Sequence, residues 1–172
     1  MPPLNPWLKF MAEYITSDEM DAYVADRPDS SAWTEASSAL KEDLLNYVSK
    51  LVDSLPFVGK KYETDISSQP LQWPRLIKTR RGWVVERDAD DNVVVPQAIK
   101  DAVAEEILAR LDTTNEKRRA LQEGGVTYFK LGELWEEYDG SLQGGGIKGT
   151  PLRSWTAYRL LEPYLAKGAR SR

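Results

Sequence analysis

Stretches with a helical hydrophobic period alternate along this chain with stretches dense in proline, glycine or acidic residues. Residues 1–13 contain Pro2, Pro3 and Pro6, which disfavour helix and predict an extended lead-in. YITSDEMDAYVADRP then carries the marks of a helix start: Thr16 as cap, Glu19 placed for a capping box, Ile15 and Met20 spaced for a hydrophobic staple. Pro28 predicts its end. After a turn around Trp33, Leu40, Leu44, Tyr47, Val48, Leu51 and Leu55 recur at helical spacing against Lys41, Asp43, Asn46, Lys50 and Asp53. Pro56 and Gly59 stop that second helix.

From Lys60 to Arg81 no period is evident. WVVERDADDNVVVP predicts a β-hairpin near 83–95, two Val-rich runs joined by Asp88, Asp90, Asp91 and Asn92. Pro96 sits where a helix favours proline, and Ile99, Val103, Ile107 and Leu111 form one stripe, with Lys100, Asp101 and Glu105 off it. NEKRRALQE predicts a short helical continuation, and VTYFKLGELW an extended stretch broken at Gly132. A glycine-rich tether follows, then Thr150 as cap and Pro151 as the first residue of a terminal helix. No internal repeat is present.

Leu152, Trp155, Tyr158 and Leu161 share one face of that terminal helix, and Tyr164 and Leu165 extend it. So short a helix is marginal in water and needs a surface to pack on. Packing back on its own domain is one solution. The glycine tether suits reach, so the expectation is docking on another subunit. The chain thus divides into an N-terminal arm (1–13), a helical core with the hairpin (14–138), a tether (139–150), and a docking helix with a basic tail (151–172).

Composition narrows the function. With 172 residues, 41% hydrophobic and 29% charged, the chain is long enough to bury a core of its own. It has no cysteine and no histidine, which excludes disulfides, thiolate metal sites and every triad built on either residue. An enzyme would have carboxylates, lysine and tyrosine alone, and no paired acids stand out; no catalytic role, cofactor or metal is expected. No apolar run is long enough for a membrane span, and no signal-peptide pattern opens the chain. The net charge of −4 means that only a local basic patch would hold nucleic acid.

Such a patch lies in WPRLIKTRRGW. Trp73, Arg75, Lys78, Arg80, Arg81 and Trp83 interleave aromatic and basic side chains, the combination that stacks bases and neutralises phosphates. The same pattern also suits tryptophans in a core with arginines on acidic neighbours. GGGIKG matches a dinucleotide fingerprint in spelling only, because too little chain follows it for a second strand. DADDN spaces Asp88, Asp90 and Asn92 like a calcium loop, but Val93 and Ile99 stand where glycine and glutamate belong. Glu133, Glu136, Glu137 and Asp139 contrast with Arg153, Arg159, Lys167, Arg170 and Arg172, as two solvated faces or as complementary edges of neighbouring subunits.

Several stretches in this order resemble a tailed-phage family labelled DnaT-like single-stranded-DNA-binding proteins, relatives of which act as head-to-tail connector adaptors. They are Tyr14 to Tyr23, Trp33, the Leu-rich helix from Leu40, Gly59-Lys60, LQWPR (Leu71 to Arg75), Val95 to Glu106, and AYRLLEPYL (Ala157 to Leu165). The hairpin between Arg75 and Pro96 is longer than the family pattern, and Glu116 to Gly149 has no counterpart in it. The resemblance implies a mainly α fold, a small helical bundle with an inserted β-hairpin and extended arms. It also implies a structural virion protein: a dodecameric adaptor ring in the neck, made in the host bacterial cytoplasm. Implied partners are the portal protein, neighbouring copies, a downstream neck or tail protein, and genomic DNA in the ejection channel. Leu152, Trp155, Tyr158, Leu161, Tyr164 and Leu165 would then grip the portal or a neighbour. The alternative is a single-stranded-DNA-binding module working through Trp73, Arg75, Lys78, Arg80 and Arg81.

Overall fold

The computed structural model describes residues 13–64, 69–112, 128–131, 134–137 and 147–166. The fold is mainly helical: α1 (Ser17–Val24), α2 (Ser31–Thr34), α3 (Ser38–Asp53), α4 (Gln97–Leu111) and α5 (Trp155–Leu161). Strands β1 (Lys60–Lys61), β2 (Arg75–Thr79) and β3 (Gly82–Val84) form a small antiparallel sheet in that order. β4 (Tyr128–Leu131) and β5 (Leu134–Glu137) form a separate antiparallel pair, in the stretch expected to be extended. The N-terminal arm, the NEKRRALQE continuation, most of the tether and the basic tail lie outside the described residues.

The capping box forms as its spacing requires. The Thr16 amide donates to Glu19 Oε2 at 2.9 Å, the Glu19 amide donates to Thr16 Oγ1 at 3.2 Å, and Ile15 and Met20 are buried beside it. In α3 the core face differs from the predicted stripe. Leu45, Val48, Ser49 and Val52 point inward, Leu44 and Leu51 flank them, and Leu40 and Tyr47 are exposed. A helix with this many leucines has more than one apolar face. The face chosen is the one that meets the entering chain, where the Tyr14 amide donates to Ser49 Oγ at 3.0 Å.

α4 is the axis of the fold. It contacts α1, α2, α3 and α5, and the run from Ala102 to Leu108 is buried without interruption. The predicted stripe of Ile99, Val103 and Ile107 is therefore part of a helix enclosed on all sides, and Glu105, placed off the stripe, lies inside with Glu106. Pro96 caps this helix rather than opening it.

The main hairpin forms upstream of its expected place. Ile77 pairs with Val84 and Lys78 with Trp83, with Arg80 and Arg81 at the turn. The expected 83–95 hairpin shrinks to one bridge, Arg87 with Val93, around a loop held by Asp88. Its valines go elsewhere: Val93 and Val95 are buried, and Asp91 takes φ 65 to make the turn.

Candidate functional site

The stretch read as a nucleic-acid site divides sharply in the fold. Trp73 is buried, edge-on to Phe57 (centroids 5.5 Å) and to Tyr164 (5.3 Å), and its bond to Pro74 is cis. Arg75 is buried too. Its Nε donates to the Val58 carbonyl at 2.8 Å, Nη2 to the carbonyls of Gly59 (2.8 Å) and Phe57 (3.3 Å), and Nη1 to Gln72 Oε1 at 2.7 Å. Burial works against its charge and lowers its pKa, and those carbonyls supply the compensating dipoles. Trp73 and Arg75 are therefore withdrawn as base-stacking and phosphate-binding residues. Both are buried in the interior.

Gln69 is buried beside them, and sequence reasoning missed it. Its amide nitrogen donates to the carbonyls of Leu71, Gln72 and Pro74, and its oxygen accepts from the Glu63 amide at 2.9 Å. Only the irregular composition around it hinted that a side chain was standing in for a backbone ladder. Asp53, at the end of α3, accepts from the Tyr14 hydroxyl and from the Gln72 amide. Burial first, and then the Asp53 carboxylate, push the Tyr14 pKa far upward, so it stays a neutral donor.

Lys78, Arg80 and Arg81 remain on the surface. The register puts Lys78 directly opposite Trp83, so the pair shares one face of the hairpin. Trp83 is half exposed, and Lys60 of β1, which the sequence reading did not place among the nucleic-acid contacts, sits over its ring with Nζ 5.0 Å from the centroid. None of these cations makes an ion pair among the described residues. Gly82 takes φ 122 at the turn, a backbone state that a side chain would strain.

The terminal segment is divided in the same way. Leu152 and Leu161 are fully buried against α4, so they are core residues and do not dock on a partner. Ser154, not Thr150, caps α5, accepting from the Ala157 amide at 3.1 Å. Beyond α5 the Tyr164 carbonyl accepts from the Val58 amide at 2.8 Å, the Ala166 amide donates to the Pro56 carbonyl at 2.7 Å, and Leu165 bridges to Phe57. Tyr164 and Leu165 thus close the chain onto its own loop. Tyr158 is half-buried, and Trp155 is the member of the set that faces solvent.

Glu106 explains why the segment returns. This fully buried carboxylate accepts from the amides of Arg153 (2.9 Å) and Ser154 (2.8 Å) and pairs with Arg110 at 2.8 Å. Helical periodicity alone had no means of separating such an anchor from a solvated glutamate. Asp88, suggestive of a cation loop, accepts from the amides of Asp90 and Asn92 and from the Asn92 side chain. Those bonds, the Asn92 amide foremost, hold its carboxyl below the usual range and engage it within its own turn. A cleft of about 550 Å³ lies where α4 ends, lined by Asp29, Glu105, Asp112, Arg153 and Trp155 among others, so acids predominate among its charged groups.

Over residues 12–172 the chain matches the family described as "Putative DnaT-like ssDNA binding protein". It belongs to that family. No curated protein and no solved structure matches it. In this DnaT-like chain the exposed described residues include Lys60, Lys78, Arg80, Arg81 and Trp83 on the hairpin side, and Trp155 on α5.

Proposed function

We propose that the protein is a structural subunit of a tailed-phage neck, an adaptor that sits in a ring, joins portal to tail and surrounds the DNA channel. One observation carries this reading. Among the described residues, large apolar side chains stay exposed on separate elements: Leu40 (43%) and Tyr47 (52%) on α3, Trp83 (50%) and Val84 (47%) on β3, and Trp155 (53%) on α5. Their display on several elements suits a subunit with neighbours on several sides, since burying such side chains at contacts is favourable. With Leu152 and Leu161 in the core, Trp155 is the terminal-helix residue assigned to the portal. The test is electron microscopy and sedimentation of the full chain, alone and with the portal protein of the same genome. A ring, free or seated on portal, supports the adaptor; a monomer that ignores portal at every concentration rejects it.

A second reading is single-stranded-DNA binding. The cluster of Lys60, Lys78, Arg80 and Arg81 around a half-exposed tryptophan favours it, as does the family's description. Anisotropy of a labelled oligonucleotide decides the matter. Affinity that falls steeply with salt and disappears in Arg80→Ala/Arg81→Ala favours the DNA reading. No binding at physiological salt removes it.

A further inference from the structure

Two tryptophans are buried among the described residues, and the fold treats their indoles differently. Trp33 is fully buried, and its Nε1 donates to Asp21 Oδ1 at 2.7 Å. Trp73 is 3% exposed, and its Nε1 finds no acceptor among the described residues. A buried indole N–H usually has one, because losing water without a replacement hydrogen bond is costly. Arg110 Nε is in the same position, but its guanidinium keeps Glu106 and the Pro151 carbonyl as partners. An indole has a single N–H and no second donor to engage.

Trp73 also lines a cavity of about 10 Å³, walled by Glu13, Tyr14, Gln69 and Val95 among others. That is room for about one water and nothing larger. Two of the lining residues are able to accept. Gln69 is buried with its amide nitrogen on three carbonyls, and its Oε1 takes the Glu63 amide and has a second lone pair. Glu13 brings a carboxyl whose pKa is raised, by burial first and then by Glu42, so it is partly withdrawn from solvent. A donor with nothing to bond and two acceptors make the cavity polar, whereas cavities that stay dry are apolar.

We propose that this cavity is an internal hydration site, in which one water accepts from Trp73 Nε1 and donates to Gln69 Oε1 and the Glu13 carboxyl. A cation is refused by the indole, which presents a hydrogen to the site, and the volume admits no larger ligand. The water joins segments distant in the chain: the entry to α1 at Glu13, the buried Gln69, and Trp73, against which Tyr164 closes the C-terminal end. Neighbouring polar groups, Tyr14 with Asp53 and Arg75 with Gln72, already have partners within the protein. The site stands independently of the neck and DNA readings.

Magnetisation transfer from water to the isotope-labelled full chain reads the site in solution. Trp73→Phe identifies the Trp73 indole resonance among the six tryptophans. The expected result is transfer to Trp73 Hε1 with NOE and ROE of opposite sign, which marks a bound molecule and not proton exchange. Tyr14→Phe, which removes the exchangeable hydroxyl lining the same cavity, should keep that signal. A crystal structure of the unmodified chain should show a water within about 3.2 Å of Nε1. A protein acceptor at Nε1, or no transfer and no ordered water there, overturns the site. Transfer that vanishes in a folded Tyr14→Phe chain, with no water at Nε1 in the crystal, is relayed by the hydroxyl and overturns it equally.

Discussion

At Arg75 the guanidinium is surrounded by peptide carbonyls, while Arg80 and Arg81, at the adjoining turn, face solvent. Arg75→Ala leaves buried acceptors without a donor and is expected to cost about 2 kcal/mol or more in urea denaturation. Lysine will not restore it, because one ammonium cannot follow a planar fork. Arg80→Ala with Arg81→Ala should stay within about 0.5 kcal/mol of the parent. Glu106→Ala strands Arg110 and the amides of Arg153 and Ser154 in the interior, an expected loss of about 3 kcal/mol by the same measurement. Glu19 gives a pH signature. Burial raises its pKa, but the Lys100 ammonium and the Thr16 groups outweigh that and hold it below the ordinary value. A carboxylate depressed on folding stabilises fully above its unfolded value, about 4, and loses that contribution as pH falls through the folded one. Denaturation across that window should show stability falling towards acid, and Lys100→Met should flatten the slope.

At the scale of elements, α3 and α5 show what periodicity leaves undecided. Leu40 and Tyr47 belong to a helical stripe as good as that of Leu45, Val48 and Val52, and packing against Tyr14 and α4 selected the second. On α5 the selection separates residues of one predicted face. Leu161→Ala should cost about 3 kcal/mol by cavity formation, whereas Trp155→Ala should cost less than about 1 kcal/mol and weaken portal association with the melting temperature retained. Equal loss of stability in both would place Trp155 in the core. The hairpin was legible as β-rich sequence, but its register was not, because the partner of β3 lies upstream in a stretch without alternation.

At the scale of the molecule, the net charge of −4 conceals a local cluster of cations at the hairpin, Lys60, Lys78, Arg80 and Arg81, which make no ion pair among the described residues. Assembly through such a cluster should weaken as salt rises beyond the physiological range, where the screening length drops below about 8 Å. Sedimentation of the full chain in a salt series reads this directly. An assembly indifferent to salt would assign the interface to its apolar centre and remove the charges from it.

By itself the sequence determined the helical class, the capping box at Thr16 and Glu19, a helix after Pro96 and the exclusion of histidine- and cysteine-based chemistry. These depend on near neighbours in the chain or on composition. Only the tertiary structure decided that Trp73 and Arg75 lie in the core, that Glu106 anchors the terminal segment, and that Leu152 and Leu161 pack at home. Each of those outcomes depends on partners distant in the chain. An arginine, a glutamate or a leucine has one local propensity whether it faces water, a carbonyl cage or another subunit, and burial alone distinguishes them.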